Sequence, residues 1–123
     1  MYYLCGKDGD LQRVWDKRPY PVDSGTPVIR SLHFSNIRAV NATACAAFLY
    51  GLPESPIEDV TLSDFTVAMK RGCPGEPAML RDVGEWEARG MFLRNIRGLN
   101  LRDFRVLNAD GDAIDADGSV EFV

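Results

Sequence analysis

Three stretches of the chain repeat one arrangement of apolar and polar positions: "IRSLHFSNIRAV" from Ile29, "IEDVTLSDFTVA" from Ile57 and "IRGLNLRDFRVL" from Ile96. Each reads apolar-x-x-apolar-x-apolar-x-(Asn or Asp)-apolar. Alternation such as Leu32-x-Phe34 is the period-2 signature of a strand with one buried face, and no segment keeps the i, i+3, i+4, i+7 spacing of an amphipathic helix for more than about two turns. Aligned, the copies give three apolar columns: Leu32, Val60 and Leu99; Phe34, Leu62 and Leu101; Ile37, Phe65 and Phe104. Between the last two columns stand Asn36, Asp64 and Asp103, residue types that tolerate left-handed backbone and bend a strand.

A second row of short apolar runs accompanies the first: "AAFLYG" at 46–51, "GMFLRN" at 90–95 and "GDAIDA" at 111–116. Gly90 to Gly111, Leu93 to Ile114, Leu99 to Val120 and Leu101 to Phe122 are each 21 residues apart, a step that fits one coil of a solenoid. On this register "SVEF" is a fourth, partial copy. The longer steps, 28 from Leu32 to Val60 and 39 from Val60 to Leu99, require loops outside the coil. These expectations add up to an all-β chain, a right-handed parallel β-helix of about four coils forming one domain over 1–123. Within it, residues 1–26 are a leading strand and loop, 27–69 coils, 70–88 an inserted loop and 89–123 the last coils. The stretch "PAMLRDVGEWEARG" has room for one short helix, with Glu85 and Glu87 on an exposed helical turn.

Composition narrows the function classes. With 46% hydrophobic and 26% charged residues the chain is that of an ordinary globular domain, and its net charge of −4 argues against nucleic acid or an anionic membrane as partner. Cys5, Cys45 and Cys73 are widely spaced and the chain has one histidine, His33, so neither a disulfide framework nor a zinc site is expected. The opening "MYYLCGKDGDLQRVW" lacks the basic region and apolar run of a secretory signal, so if Met1 is the natural start a cytoplasmic location is expected.

The densest carboxylate cluster is "NADGDAIDADG", which holds Asp110, Asp112, Asp115 and Asp117. As an EF-hand loop it fails, because Ala113 and Ser119 fall where ligands belong. The glycines instead mark turns before the last strands, and turn chemistry accounts for the aspartates beside them. No cofactor or metal is expected. His33 lies between Leu32 and Phe34 and should point outward, Cys45 sits among small residues suited to close packing, and Glu54, between two prolines, reads as an exposed turn residue.

The run "TPVIRSLHFSNIRAVNATACAAFLYGLPESPIEDVTLSDFTV" resembles the C-terminal coils of the family 28 glycoside hydrolases, the polygalacturonases and their bacterial relatives. The residues that carry the resemblance are "TPVIR", "HFSNI", the "GLPE-x-PI" turn at 51–57, "EPAM" at 76–79 and the opening "MYYLC". It implies a β-helix related to enzymes that hydrolyse α-1,4-linked galacturonate with inversion, a reaction that needs carboxylates on opposite faces of the sugar, roughly 6.5–9.5 Å apart. The family places these in an N-T-D-G-x-D segment, an Asp-Asp pair and a G-H-G segment, followed by R-I-K, none of which precedes "GLPESPI" here. "NADGDAIDADG" echoes the first of them only in Asn108, Asp110 and Gly111, and at the wrong place in the order of coils.

The expected function is therefore that of the C-terminal portion of a polygalacturonase-like hydrolase, with no catalytic residue of its own and silent alone. The alternative is a non-catalytic β-helix module that binds a pectic or other uronate-containing polysaccharide, or that self-associates through the bare edge of its N-terminal coil. For binding, the segment "RVWDKRPYPVD" offers Trp15 and Tyr20 as flat faces for a pyranose and Arg13, Lys17 and Arg18 for a uronate carboxylate. The resemblance adds Tyr2 or Tyr3, near a sugar-contacting tyrosine of the family.

Overall fold

A computed structural model describes residues 11–76 and 83–123. A short helix α1 (Gln12–Trp15) leads into strands β1 (Arg30–Ala42), β2 (Cys45–Tyr50), β3 (Ile57–Met69), β4 (Arg89–Arg94), β5 (Ile96–Leu107), β6 (Ile114–Ala116) and β7 (Val120–Phe122). They form two sheets, β1-β3-β5-β7 and β2-β4-β6, in which every strand pairing is parallel. The chain alternates between the sheets and returns to each one strand further on, so the fold is a parallel β-helix.

The apolar columns are its rungs. Leu32 pairs with Val60 and Val60 with Leu99; Phe34, Leu62 and Leu101 are likewise in register, as are Ile37, Phe65 and Phe104. The long strands β1, β3 and β5 round a corner without leaving the ladder because Asn36, Asp64 and Asp103 take φ of 57°, 51° and 49°. A second left-handed column precedes the first, Ser31, Asp59 and Gly98 with φ of 58°, 53° and 72°. Such backbone costs a side chain least when it is Asn, Asp or absent, which explains most of the polar punctuation inside the strands.

The core lies between the sheets. Val60, Leu62, Phe65 and Val67 of β3 meet Met91 and Leu93 of β4, with Ile96 and Leu99 of β5 completing it. Burial is deepest in the middle coils, since each coil covers only its neighbours. Phe34 and Val40 on β1 stay 40% and 76% exposed, and Phe122 on β7 51%.

The last coil departs from the expected 21-residue step. Met91 pairs with Ile114 and Leu93 with Ala116, a step of 23, while Ile96 pairs with Val120, a step of 24. Val120 and Phe122 thus face Ile96 and Leu99 rather than Leu99 and Leu101, with a register shift between Arg97 and Leu99. The physical reason is at Gly90, which packs on the backbone of Asp112 and Ala113 so closely that a Cβ there would lie 2.2 Å from the Asp112 carbonyl oxygen. That contact, not a match of Gly90 to Gly111, sets the register. Gly111 instead takes φ of 92° in the preceding turn, and Gly118 sits in the turn before β7, both as expected of turn residues.

Helix content also differs from expectation. Residues 77–82 of "PAMLRDVGEWEARG" lie outside the described residues, and 83–88 form no helical turn. Trp86 is instead tied to Gly75 in an antiparallel bridge, each amide donating to the other's carbonyl at 2.8 Å. That extended pairing holds Glu85 and Glu87 out of any helix. The helix that does occur, α1, is a single turn closed by the Asp16 amide donating to the Gln12 carbonyl at 2.8 Å.

Candidate functional site

Strand alternation sorts the short sheet into two faces. Ala47, Leu49, Met91, Leu93 and Ile114 belong to the core, so Phe48, Tyr50, Phe92, Arg94 and Asp115 stand on the outer face. Phe48 and Phe92, paired across β2 and β4, stack at 5.4 Å between centroids and 14° between planes. Trp86 of the inserted loop closes on this pair, 4.8 Å from Phe92 and 5.7 Å from Phe48. Tyr50 packs edge-on against Phe48 at 6.1 Å and Phe92 at 5.7 Å.

Two guanidinium groups lie over the rings. Arg94 is 4.0 Å from the Phe92 centroid, and Arg89 is 4.4 Å from that of Trp86 and 5.1 Å from that of Phe92. A cation above a ring face is attracted by its quadrupole, so the arrangement holds two charges against an apolar surface without burying them uncompensated. Asp115 supplies the compensation. It accepts from Arg89 Nε at 2.7 Å and from Arg94 Nη2 at 2.8 Å, and its main-chain carbonyl accepts from Arg94 Nη1 at 2.8 Å. Arg94 Nε also lies 3.2 Å from Asp117, whose carboxylate accepts from the Ser119 amide and hydroxyl.

These contacts fix protonation states. Burial pushes the Asp115 carboxyl up, but hydrogen bonds from Arg94 and Arg89 together with their charges outweigh it and hold the group below the usual carboxylate range. The hydrogen bonds from Ser119 hold Asp117 below that range too. A general acid requires the opposite shift, so Asp115 is an anchor for arginines and not a proton donor. Burial raises the Tyr50 hydroxyl and the Cys45 thiol, which keeps both neutral near pH 7.

Beside Asp115 an open recess of about 240 Å³ is lined by Arg89, Asp110, Asp112, Ile114, Asp115 and Ala116. It is smaller than the roughly 300–1,000 Å³ of an enclosing ligand pocket. Of the four aspartates in "NADGDAIDADG", Asp115 lies within β6 and not in a turn, because the 23-residue step carries it onto the sheet. No group of three or more His, Cys, Asp or Glu among the described residues is arranged to hold a metal ion.

The binding candidates from the leading segment form a different cluster. Arg18 grips Asp16 through Nε at 3.0 Å and Nη2 at 2.6 Å, and the Tyr20 hydroxyl donates to the same carboxylate at 2.9 Å. The Arg18 fork holds the Asp16 carboxyl well below the usual range, and its planar donors are directed at a residue of the chain. Arg13 lies 3.9 Å from Asp23. Trp15 and Lys17 are half-buried. Tyr2 and Tyr3 lie outside the described residues, as does Cys5. The structure thus draws Arg18 and Tyr20 together around Asp16.

Among the remaining residues, His33 is exposed on β1 as expected. Glu54 is half-buried rather than exposed: the turn is pinned by the Ser55 hydroxyl donating to the Pro27 carbonyl at 2.8 Å, and Glu54 Oε2 is shielded with no hydrogen-bond partner among the described residues. Phe48, Tyr50, Trp86, Arg89, Phe92 and Arg94 were not singled out by sequence. The usable signal was the alignment of "AAFLYG" with "GMFLRN", which stacks Phe48 on Phe92; nothing in the repeat places Trp86. Neither a family model, nor a curated protein, nor a solved structure matches the chain.

Proposed function

We propose that this chain supplies C-terminal coils of a polygalacturonase-like β-helix and that its own contribution is to bind carbohydrate, not to hydrolyse it. The observation that carries the reading is the outer face of β2-β4-β6, where aromatic rings and arginine donors share one surface. Sugars bind proteins through flat apolar ring faces flanked by hydrogen-bond donors, and a uronate adds a carboxylate that a guanidinium recognises. Arg89 suits that role. Its Nε and Nη2 are committed to Asp115, it is 36% exposed, and Nη1 keeps its donors. Phe48 and Tyr50, half-buried at the β2 end of the ring cluster, provide the accessible ring surface.

Titration with oligogalacturonate, followed by calorimetry, tests this. Phe48→Ala and Arg89→Ala should each weaken binding about tenfold, whereas Trp15→Ala and Arg18→Ala should leave it within about twofold. The opposite ranking would move the site to the leading segment and refute the assignment. Equal affinity for a neutral oligosaccharide would refute uronate recognition, and reducing ends released above a buffer blank would refute a purely binding role.

A further inference from the structure

The corner at Asn36, Asp64 and Asp103 divides each long strand into two limbs. On the second limb, residues 37–42, 65–71 and 104–109 carry Arg38, Lys70, Arg71 and Arg105 and no carboxylate. Ile37 and Ala39, Phe65 and Val67, and Phe104 and Val106 turn inward there, in the core or packed against it. Alternation therefore sets Arg38, Thr66 and Arg105 outward as one column, in register across β1, β3 and β5, and Val40, Ala68 and Leu107 outward as the next. This is a different face of the coil from β2-β4-β6. Positions that point outward on a coil stay outward whatever stacks before β1 or after β5, so the face does not depend on where the solenoid begins or ends.

Beyond the apolar column lie Lys70, whose amide continues the ladder by donating to the Ala42 carbonyl at 2.7 Å, and Arg71, whose guanidinium donates to the Asn108 and Ala109 carbonyls at 3.2 and 2.6 Å. Lys70, Arg71 and Arg105 are exposed, and among the described residues none of them forms an ion pair. The carboxylates around the face are engaged or turned elsewhere. Asp64 pairs with Arg38 at 2.5 Å, Glu87 accepts from the Gly72 amide, and Asp110 lines the recess beside Arg89. Asp103, at the corner, stands between Arg102 and Arg105 in sequence. A chain of net charge −4 thus keeps a local excess of positive charge on one flat sheet face.

We infer that this face is a second carbohydrate contact, which takes a linear polyuronate lying along the solenoid axis over Val40, Ala68 and Leu107, with its carboxylates against Arg105 on one side and Lys70 and Arg71 on the other. Neighbouring strands lie about 4.8 Å apart, so the column from Arg38 to Arg105 spans about 10 Å of that axis. An apolar stripe with cations along both borders fits a polymer whose rings have apolar faces and whose carboxylates project from the ring edges, and the Thr66 hydroxyl both donates and accepts toward sugar hydroxyls. Nucleic acid binding draws on roughly 6–10 phosphate contacts, more than three unpaired cations supply. The face shares the ligand class of the short-sheet site but none of its residues.

Calorimetric titration with polygalacturonate tests it, in the parent and in Phe48→Ala so that the two faces are read separately. Lys70→Glu with Arg105→Glu should weaken binding at least about tenfold in both backgrounds. Arg30→Glu with Arg97→Glu makes the same change in net charge on the first limb and should stay within about twofold. Added salt should weaken binding by the parent more than by the Lys70→Glu, Arg105→Glu variant, because it screens the charges that variant has lost. Circular dichroism checks that each variant is folded, and Lys70→Gln with Arg105→Gln gives an intermediate loss if charge reversal prevents folding. Parent affinity in a Phe48→Ala chain would count against the short-sheet site alone. Equal losses for the two charge-reversed pairs, no loss on changing Lys70 and Arg105, equal affinity for the fully methyl-esterified polymer, or tighter binding of single-stranded DNA than of polygalacturonate would overturn the inference.

Discussion

Replacing Gly51 with alanine probes the joint between coils. The Gly51 amide donates to the Arg94 carbonyl at 2.9 Å, Asn95 Nδ2 donates to the Gly51 carbonyl at 2.9 Å, and the Ile57 amide donates to the Asn95 carbonyl at 3.0 Å. A Cβ on Gly51 would lie 2.2 Å from that Asn95 oxygen and 2.9 Å from the Ile57 nitrogen. Both are backbone atoms, so relief requires separating the two coils where they hydrogen-bond. Losing the Ile57–Asn95 bond in a shielded place costs about 1–3 kcal/mol, and overpacking adds about 1–3 kcal/mol. The lower entropy of an unfolded alanine returns only about 0.4–1 kcal/mol. The expected net loss is about 1–5.5 kcal/mol, which for a chain of this size lowers the melting temperature by roughly 4–22 °C. Gly118→Ala is the control, since no heavy atom lies within 4 Å of its added Cβ, and it should melt within about 2 °C of the parent. Thermal melts by circular dichroism, backed by urea midpoints, read both variants. A Gly51→Ala protein that melts with the Gly118→Ala control would refute the close approach of these coils.

Two further outcomes follow from the ladder and the arginine clamp. Asp115 and Asp117 are held below the ordinary carboxylate range, so the stability they contribute is present above the unfolded value of about 3.9 and is lost as pH falls through their folded values. Asp115→Asn should therefore cost about 1–2 kcal/mol near pH 7, between a surface and a buried pair, and flatten the acid limb of a stability-pH profile; an unchanged acid limb would show the clamp to be inert. At Asp103, with φ of 49°, Asp103→Val should cost about 1–3 kcal/mol while Asp103→Gly stays within about 0.5 kcal/mol, and equal urea midpoints for the two would refute the left-handed corner.

The long sheet was legible because its information is local and repeated. Leu32, Val60 and Leu99 are each set in the same apolar alternation, and the Asn36, Asp64, Asp103 column shows where the backbone turns. The last coil was misread because β6 and β7 are three residues each, too short for apolar spacing to distinguish steps of 21, 23 and 24; the Gly90 contact that decides among them is a steric fact of the backbone. The outer face was hidden for another reason. Its rings and charges come from β2, from the inserted loop, from β4 and from β6, and only the loop path around Gly75 and Trp86 brings the indole to Phe92. Arginines and an aspartate far apart in sequence resemble ordinary solvated charges until the coils are stacked.

The unequal coil steps bear on how quickly the chain finds its structure. Pairing β1 with β3 closes a loop of 28 residues, β3 with β5 one of 39, and β5 with β7 one of 24, so no ladder of the long sheet begins from a tight hairpin. Loop closure entropy grows only logarithmically, and the insertion that lengthens the second step from 28 to 39 adds only about 0.3 kcal/mol. The inserted loop is thus nearly free to vary in length. What slows assembly is that every rung is non-local, which places this small protein with the millisecond-to-second folders. β3, paired on both sides and contributing more buried residues than any other strand, is the rung from which the others can propagate.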